Sequence, residues 1–314
     1  MKGAVVLLLC AACGRLAFDA RGDAGDGDGA ANGDSALDAA PTCMNWGPFS
    51  APMHSTELAS TQNEYATAVA EDNLYLVFDS DRSGGVSAYD LWQTSRASRA
   101  VAYDPPTPLN YLNTSADDSN PAISPDGNTL YISSDPTGPG KIYVATRSDR
   151  TQQFGTPVML QGPVNQPFSV CCPSVSPDER TIYLSVDATG TGLDYEIYEA
   201  TRPDRTNDFG TPTRIAALSS SSNDWTPSIS SDGLELYFQT NRGVNYDIYV
   251  SRRASTTDAW PTPARLEPLS GDTYSETDPT ISYDGTSLGF GMFQGPGGLG
   301  NADIYYASRS CLDP

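Results

Sequence analysis

Acidic residues recur at one position of a repeat in this 314-residue chain, and they are the first candidates for chemistry. The repeat carries five turn acids, and a second acid lies eight residues before four of them. These candidates are Glu64, Asp118, Asp224 and Glu276, with Val170 at the fifth place. Carboxylates brought together around a symmetric structure favour calcium or another hard cation, or the docking of a basic group. The alternative is that they cap turns on a solvated surface.

Aromatic residues flank this acidic position and are candidates for ligand contact. Tyr65, Phe168, Trp225 and Tyr274 are suited to stacking on sugar rings or peptide side chains, although aromatic residues also pack between sheets. Paired carboxylates also permit glycoside hydrolysis. A ring of acids at equivalent positions favours binding over a specialised acid/base pair, so we assign no catalytic residue.

The charge balance limits the classes of partner. The chain has 39 acidic and 18 basic residues, giving a net charge of −21. This charge opposes binding to nucleic acid and to anionic membrane surfaces, and permits cations, basic partners or neutral glycans. His54 is the single histidine, so histidine-based triads depend on it and His/Cys zinc sites are disfavoured.

The spacing of the turn acids predicts the fold that positions these candidates. The acids follow one another at intervals of 52 or 54 residues: Asp72, Asp126, Asp178, Asp232 and Asp284. Each turn is followed by a short run rich in β-branched and aromatic residues, such as TLYIS from Thr129, which is typical of strands. A unit of this length with three or four strands matches one propeller blade. We predict an all-β, single five-bladed β-propeller, with six blades as the alternative.

The ends of the repeat region predict how the ring closes. The region begins with an aromatic-Pro element at Phe49 and ends with a DIYYASR element, so an N-terminal strand should complete the last blade. In intact units an Arg precedes the next aromatic residue by seven positions, as from Arg147 to Phe154. When the same seven-residue spacing is applied to the two ends of the repeat region, Cys43 and Cys311 lie side by side. This placement predicts a disulfide between them; the alternative is two free thiols.

Cys171 and Cys172 are adjacent in the sequence. Neighbouring cysteines form a disulfide only through a strained ring, and strain of that kind concentrates at functional sites. A vicinal disulfide and two reduced thiols both remain open at this stage.

The N-terminal residues have the composition of an export signal. Residues 1–12 combine Lys2 with a short apolar run, and small residues then precede Cys13, which predicts a lipidated cysteine. An ordinary secretory signal is the alternative. Residues 13–42 are rich in Gly, Ala and Asp and predict a disordered acidic tether. Residues 43–314 form the predicted propeller.

The repeats resemble the WD40-like propeller repeats of the TolB family. The stretches SPDGNTLYISSD and FDSDRSGGVSAYDLW carry the likeness, although unit one lacks the Pro and Gly of the turn and Gly289 replaces the usual Tyr. TolB has six blades and an additional N-terminal domain, which are not expected here. The resemblance implies a periplasmic or surface binding scaffold, which we expect to be non-catalytic. Gly14 after Cys13 favours the outer membrane, by resemblance to enterobacterial lipoprotein sorting. The resemblance does not identify the partner; we expect an envelope protein or peptide, with a glycan as the alternative. We expect a monomer whose only membrane contact is the lipid.

Overall fold

A computed structural model describes residue 43 and residues 45–135, 139–166, 169–191 and 194–312. The expected signal (1–12), the lipidation site Cys13 and the tether (13–42) lie outside the described residues. None of the helical structure in the described part of the chain is long and apolar enough to cross a membrane.

The described residues form short strands and one 3-10 helix. In chain order these elements are β1 (Met53–His54), β2 (Glu64–Val69), β3 (Tyr75–Ser80), β4 (Asp90–Ser95), β5 (Thr107–Pro108), β6 (Asp118–Ile123), β7 (Thr129–Ser134), β8 (Lys141–Thr146), β9 (Val158–Met159), a 3-10 helix (Pro163–Asn165), β10 (Ser169–Val175), β11 (Thr181–Asp187), β12 (Tyr195–Thr201), β13 (Thr213–Arg214), β14 (Asp224–Ile229), β15 (Glu235–Thr240), β16 (Asp247–Arg252), β17 (Ala264–Arg265), β18 (Glu276–Ile281), β19 (Ser287–Phe293) and β20 (Ala302–Ser308).

The strands build five four-stranded antiparallel sheets, which are the five blades of a propeller. Blades one to four are β2–β5, β6–β9, β10–β13 and β14–β17, each in sequence order. Blade five has the order β1-β20-β19-β18, so the N-terminal strand completes it, as predicted. The first strand of each blade contacts that of the next, and β18 contacts β2. The five-bladed prediction is therefore confirmed, and the hydrophobic core consists of apolar layers between neighbouring blades.

The repeated turn has a local hydrogen-bond pattern that explains its sequence. In blade two, Asp126 accepts hydrogen bonds from the Ser124 hydroxyl (2.6 Å) and the Asn128 backbone N–H (2.9 Å). Gly127 has φ 75°, a left-handed conformation that glycine adopts without steric cost. These turns join the first and second strands at the end of the ring away from the candidate site described below.

The Arg-to-aromatic spacing of seven residues corresponds to a stacking contact. Arg147 lies over Phe154 with its guanidinium carbon 4.2 Å from the ring centroid, and its Nε donates to the Gly127 carbonyl at 2.9 Å. The same arrangement recurs in the other blades, through the pairs Arg96–Tyr103, Arg202–Phe209, Arg253–Trp260 and Arg309–Phe49. One arginine thus connects the third strand, the turn and the following outer strand of each unit.

The ring closes through backbone, side-chain and covalent links. Cys43 and Cys311 form a disulfide across 268 residues of sequence, and Trp46 forms an isolated antiparallel bridge with Cys311. The Arg309 guanidinium is buried between Trp46 and the Glu235 carboxylate of blade four, with Nη2 2.5 Å from a Glu235 oxygen. Both chain termini of the propeller are therefore tied into the closure.

Candidate functional site

Each first strand contains a β-bulge that turns side chains toward the central channel. The pairing register shifts within the first half of the strand in all five blades, for example between Ser119 and Ala122. In four blades the next residue, here called the bulge residue, has a positive φ: Asn120 (46°), Cys172 (59°), Thr226 (48°) and Asp278 (53°). Because the bulge interrupts the strand alternation, consecutive residues line the same cavity.

The bulge residues also bind each blade to its predecessor. The backbone N–H of each one donates to a side chain on the second strand of the preceding blade. The four bonds are Asn120 to Asp79 (3.0 Å), Cys172 to Ser133 (2.8 Å), Thr226 to Ser185 (2.9 Å) and Asp278 to Gln239 (2.7 Å). Blade five has Gly291 at this second-strand position and therefore offers no such side chain.

A cavity of about 590 Å³ opens where these strands meet, and we call it the mouth cavity. Its lining includes six aromatic side chains (Tyr65, Tyr89, Tyr195, Trp225, Tyr246 and Phe293) and a polar group formed by Asp79, Asn120, Thr226, Gln239 and Asp278, with Ser119, Cys171, Cys172, Ser275 and Thr277 completing it. Neither lysine, arginine nor histidine occurs among these described lining residues.

The aromatic side chains form two groups at the mouth cavity. Tyr65 lies between Tyr89 and Phe293, with ring centroids 5.7 and 5.9 Å apart. Trp225 contacts Tyr195 edge-on at 5.1 Å and stacks with Tyr246 at 6.1 Å. The Trp225 indole N–H is buried without a hydrogen-bond partner in the described structure. These rings offer flat apolar faces and one unused donor.

Two carboxyl groups share the centre of the mouth cavity. Burial raises the pKa of Asp278 to about 6, although hydrogen bonds from Thr277 and Asn120 oppose the shift. Burial, and then the charge of Asp278, raise the pKa of Asp79 well above its usual range. Asn120 bridges the pair, since its backbone N–H binds Asp79 and its Nδ2 lies 3.3 Å from Asp278 Oδ1. No positively charged side chain in the described lining offsets the effect of burial on the pair.

The four recurring acids do not meet in the channel. Each is the first residue of its strand and is buried. Glu64 pairs with Arg82 (2.8 Å) and Asp224 with Arg242 (2.5 Å), while Asp118 accepts from the Thr114 backbone N–H (2.5 Å). Burial, then the charge of Asp247, raise the pKa of Glu276 to about 8. No group of three or more His, Cys, Asp or Glu residues in the described chain is suited to a metal ion, so the calcium hypothesis gains no support.

The aromatic candidates divide between ligand-facing and structural positions. Tyr65 and Trp225 line the mouth cavity. Tyr274 does not: it packs against the apolar layer between blades four and five. Phe168 lies outside the described residues. The sequence analysis did not identify Tyr89, Tyr195, Tyr246 and Phe293, since they lie at or next to the ends of the second and third strands rather than beside the recurring acids.

Cys171 and Cys172 are both free thiols in the structure. The vicinal disulfide that the sequence left open is therefore not formed. The bulge explains why two adjacent cysteines line the same cavity. Cys172 has φ 59° and its backbone N–H donates to Ser133, while Cys171 still pairs with Ser185 across the sheet.

Comparison with known proteins agrees with the fold. Neither a family model nor a curated protein matches the sequence. An α-L-arabinofuranosidase from Podospora anserina, solved with cellotriose, is 13% identical with a TM-score of 0.55, covering 85% of this chain and 96% of that one. An α-L-arabinofuranosidase from Lactobacillus brevis is 9% identical with a TM-score of 0.55, covering 82% and 94%. A putative TolB from Agrobacterium tumefaciens is 18% identical with a TM-score of 0.49, covering 82% and 96%. At these identities the likeness to the two arabinofuranosidases shows the fold alone, in agreement with the five-bladed propeller formed by the described residues.

Proposed function

We propose that the protein is a non-catalytic scaffold that holds a basic segment of a partner protein in the mouth cavity. One observation carries the proposal: six aromatic rings and two carboxyl groups line the same cavity, and its described lining contains no basic residue. Aromatic faces attract a lysine or arginine side chain, and a nearby carboxylate adds direct charge complementarity. The volume falls within the range of ordinary ligand sites.

Exposed apolar residues around the mouth favour a protein over a small ion. Val86, Val244 and Leu299 are 52%, 83% and 61% exposed. All three lie on loops that join the second and third strands of a blade, at the edge where the mouth cavity opens. Apolar side chains at a rim beside a concave aromatic site are typical of protein interaction surfaces.

Our proposal includes the setting expected from the N-terminal sequence. A lipid on Cys13 and an acidic tether would hold a monomeric propeller at the outer membrane or cell surface. The net charge of −21 would favour encounter with a basic partner and oppose nucleic acid. A protein or peptide of the cell envelope is the partner class that this setting makes available.

Site-specific photocrosslinking in extracts of the native host tests the proposed function. A crosslinking residue at Val244 or Leu299 should capture the same protein, because both positions border the mouth cavity. The matched control is Val158, which is 58% exposed on the outer strand β9. Capture from the two mouth positions and not from Val158 is the expected result. Equal capture from all three positions, or none from the mouth, would overturn the proposal.

Binding of the captured basic segment should strengthen as the pH rises through about 6. Below this value Asp278 is protonated and cannot offer a negative charge, because burial raises its pKa to about 6. From pH 7 to pH 5 the affinity should fall roughly tenfold, by linkage to one proton. Calorimetry at both pH values measures the change. Asp278→Asn removes this titration and should weaken the dependence, leaving Asp79, whose pKa is also raised, as the remaining carboxyl group; an affinity that rises on acidification would contradict the prediction.

Glycoside hydrolysis is the second candidate. The observation in its favour is a carboxyl group with a pKa of about 6 beside another carboxyl group in one cavity, a combination that glycosidases use. Against it, Asn120 engages both Asp79 and Asp278 in contacts between blades. Turnover of aryl glycosides by the wild type, lost in both Asp79→Asn and Asp278→Asn, would favour the enzyme. Absence of turnover together with mouth-specific crosslinking would favour the scaffold.

A further inference from the structure

The wall of the mouth cavity contains two consecutive thiols. Cys171 and Cys172 both line the cavity, and both are free. In a regular strand their side chains would point to opposite faces of the sheet. The bulge, with φ 59° at Cys172, turns both toward the channel instead. Both side chains therefore border the same space.

The two thiols differ in access. Cys172 is 6% exposed, and its backbone N–H donates to Ser133. Cys171 is only partly buried and also lines a second cavity of about 730 Å³ beside Tyr195. Burial, and then the neighbouring Cys171 thiol, raise the pKa of Cys172 well above its usual range. A reagent entering from the mouth therefore reaches Cys171 first.

The repeat does not require sulfur at these positions. The corresponding pairs in the other blades are Tyr65–Ala66, Ser119–Asn120, Trp225–Thr226 and Thr277–Asp278. The contact that Cys172 makes to blade two uses its backbone N–H, which any residue except proline supplies. Since neither the bulge nor this contact depends on a thiol, the paired sulfur atoms are free to carry chemistry.

We propose that Cys171 and Cys172 are a thiol–disulfide site that reacts with small disulfides entering the mouth cavity. The Cys171 thiolate attacks one sulfur of the reagent, forming a mixed disulfide and releasing the first thiol. The Cys172 thiol then loses its proton and attacks the Cys171 sulfur, releasing the second thiol. The protein loses two hydrogen atoms and gains one S–S bond, and the reagent disulfide is reduced to two thiols.

Treatment of the folded, full-length protein with glutathione disulfide tests this assignment. After alkylation of the remaining thiols and digestion, mass spectrometry of the peptide containing residues 171–172 should show an internal disulfide without attached glutathione. Dithiothreitol should restore both thiols. The Cys43–Cys311 bond, followed in its own peptides, serves as the reference for a structural disulfide in the same sample. Two unreacted thiols, or glutathione on both cysteines, would overturn the proposal.

Single variants separate the two roles. Cys172→Ser should accumulate a stable mixed disulfide on Cys171, because the second thiol is missing. Cys171→Ser should leave Cys172 largely unmodified in the folded protein, and modified only after denaturation, because Cys172 is buried. Equal modification of the two single variants in the folded state would contradict the assigned order of attack. The wild-type peptide analysis remains decisive if either variant folds poorly.

Discussion

Replacing Arg309 with Met is expected to lower the free energy of unfolding by about 3 kcal/mol, the low end of the range for removing one partner of a buried ion pair, because Glu235 keeps its ion pair with Arg252. The Arg309 side chain is 1% exposed, and it holds the Glu235 carboxylate, 6% exposed, through two hydrogen bonds of 2.5 and 3.1 Å. Its removal also frees the Gly285 carbonyl, which accepts from Arg309 Nε at 2.7 Å. Chemical denaturation of the full-length protein, with the disulfide intact, measures the loss.

Arg96→Met provides the matched control for this change. Arg96 occupies the equivalent place in blade one and lies over Tyr103 at 4.3 Å, but forms no ion pair within the described residues. Its loss should cost about 1–2 kcal/mol, the usual contribution of stacking and one hydrogen bond. Equal costs for the two variants would show that the buried carboxylate does not govern the stability of the closure.

The Glu235 carboxylate also gives the closure a predictable response to acid. Burial by itself would raise the pKa of Glu235, but hydrogen bonds and charge from Arg309, followed by Arg252, bring it below its ordinary value of 4.5. The stabilisation that ionised Glu235 contributes to the fold is therefore complete above pH 4.5. It is lost as the pH falls through the lower pKa that Glu235 has in the folded state.

Trp225→Ala is expected to weaken binding of the crosslinked partner segment by roughly 30- to 100-fold, or about 2–3 kcal/mol, as for an aromatic hot spot. Trp225 lies between Tyr195 and Tyr246 and carries an unused N–H within the mouth cavity. Truncation removes the stacking face and the donor together. Calorimetric titration of the full-length variant with the segment measures the change, and a melting curve establishes that the fold is retained.

Two further substitutions distinguish a ligand contact from general packing. Trp225→Phe keeps a ring but no N–H, so its affinity should lie between those of the wild type and Trp225→Ala. Tyr274→Ala should lower stability and leave affinity nearly unchanged, because Tyr274 packs between blades rather than in the cavity. If Trp225→Ala bound the segment with wild-type affinity, the aromatic side chains would not be part of the binding site.

The fold could be predicted because its information is local and repeated. Asp126 closes its own turn, and Arg147 reaches the ring seven residues later, so each unit repeats the same contacts. The same seven-residue spacing predicts that Cys43 and Cys311 lie side by side, and the structure has that disulfide.

The candidate site was harder to predict because it departs from the repeat. Asp79 and Asp278 each occupy a position where other blades have uncharged residues, such as Ser133 and Thr226. The acids that recur with the repeat, such as Glu64, instead stabilise their own blade, in this case through Ser60 and Arg82. The available signal was proline: Pro121, Pro173, Pro227 and Pro279 directly follow the bulge residues, and proline within a sheet is confined to edges and bulges.

The disulfide at the ring closure also changes what a break in the chain would do. Cys43 and Cys311 enclose nearly the whole propeller, so the polypeptide between them forms a covalently closed loop. A single proteolytic cut in any loop between these cysteines opens the backbone but leaves one molecule, whose two pieces are joined at the last blade. Separation of the pieces then requires both the cut and reduction of the disulfide, so the molecule tolerates nicking wherever a loop is exposed.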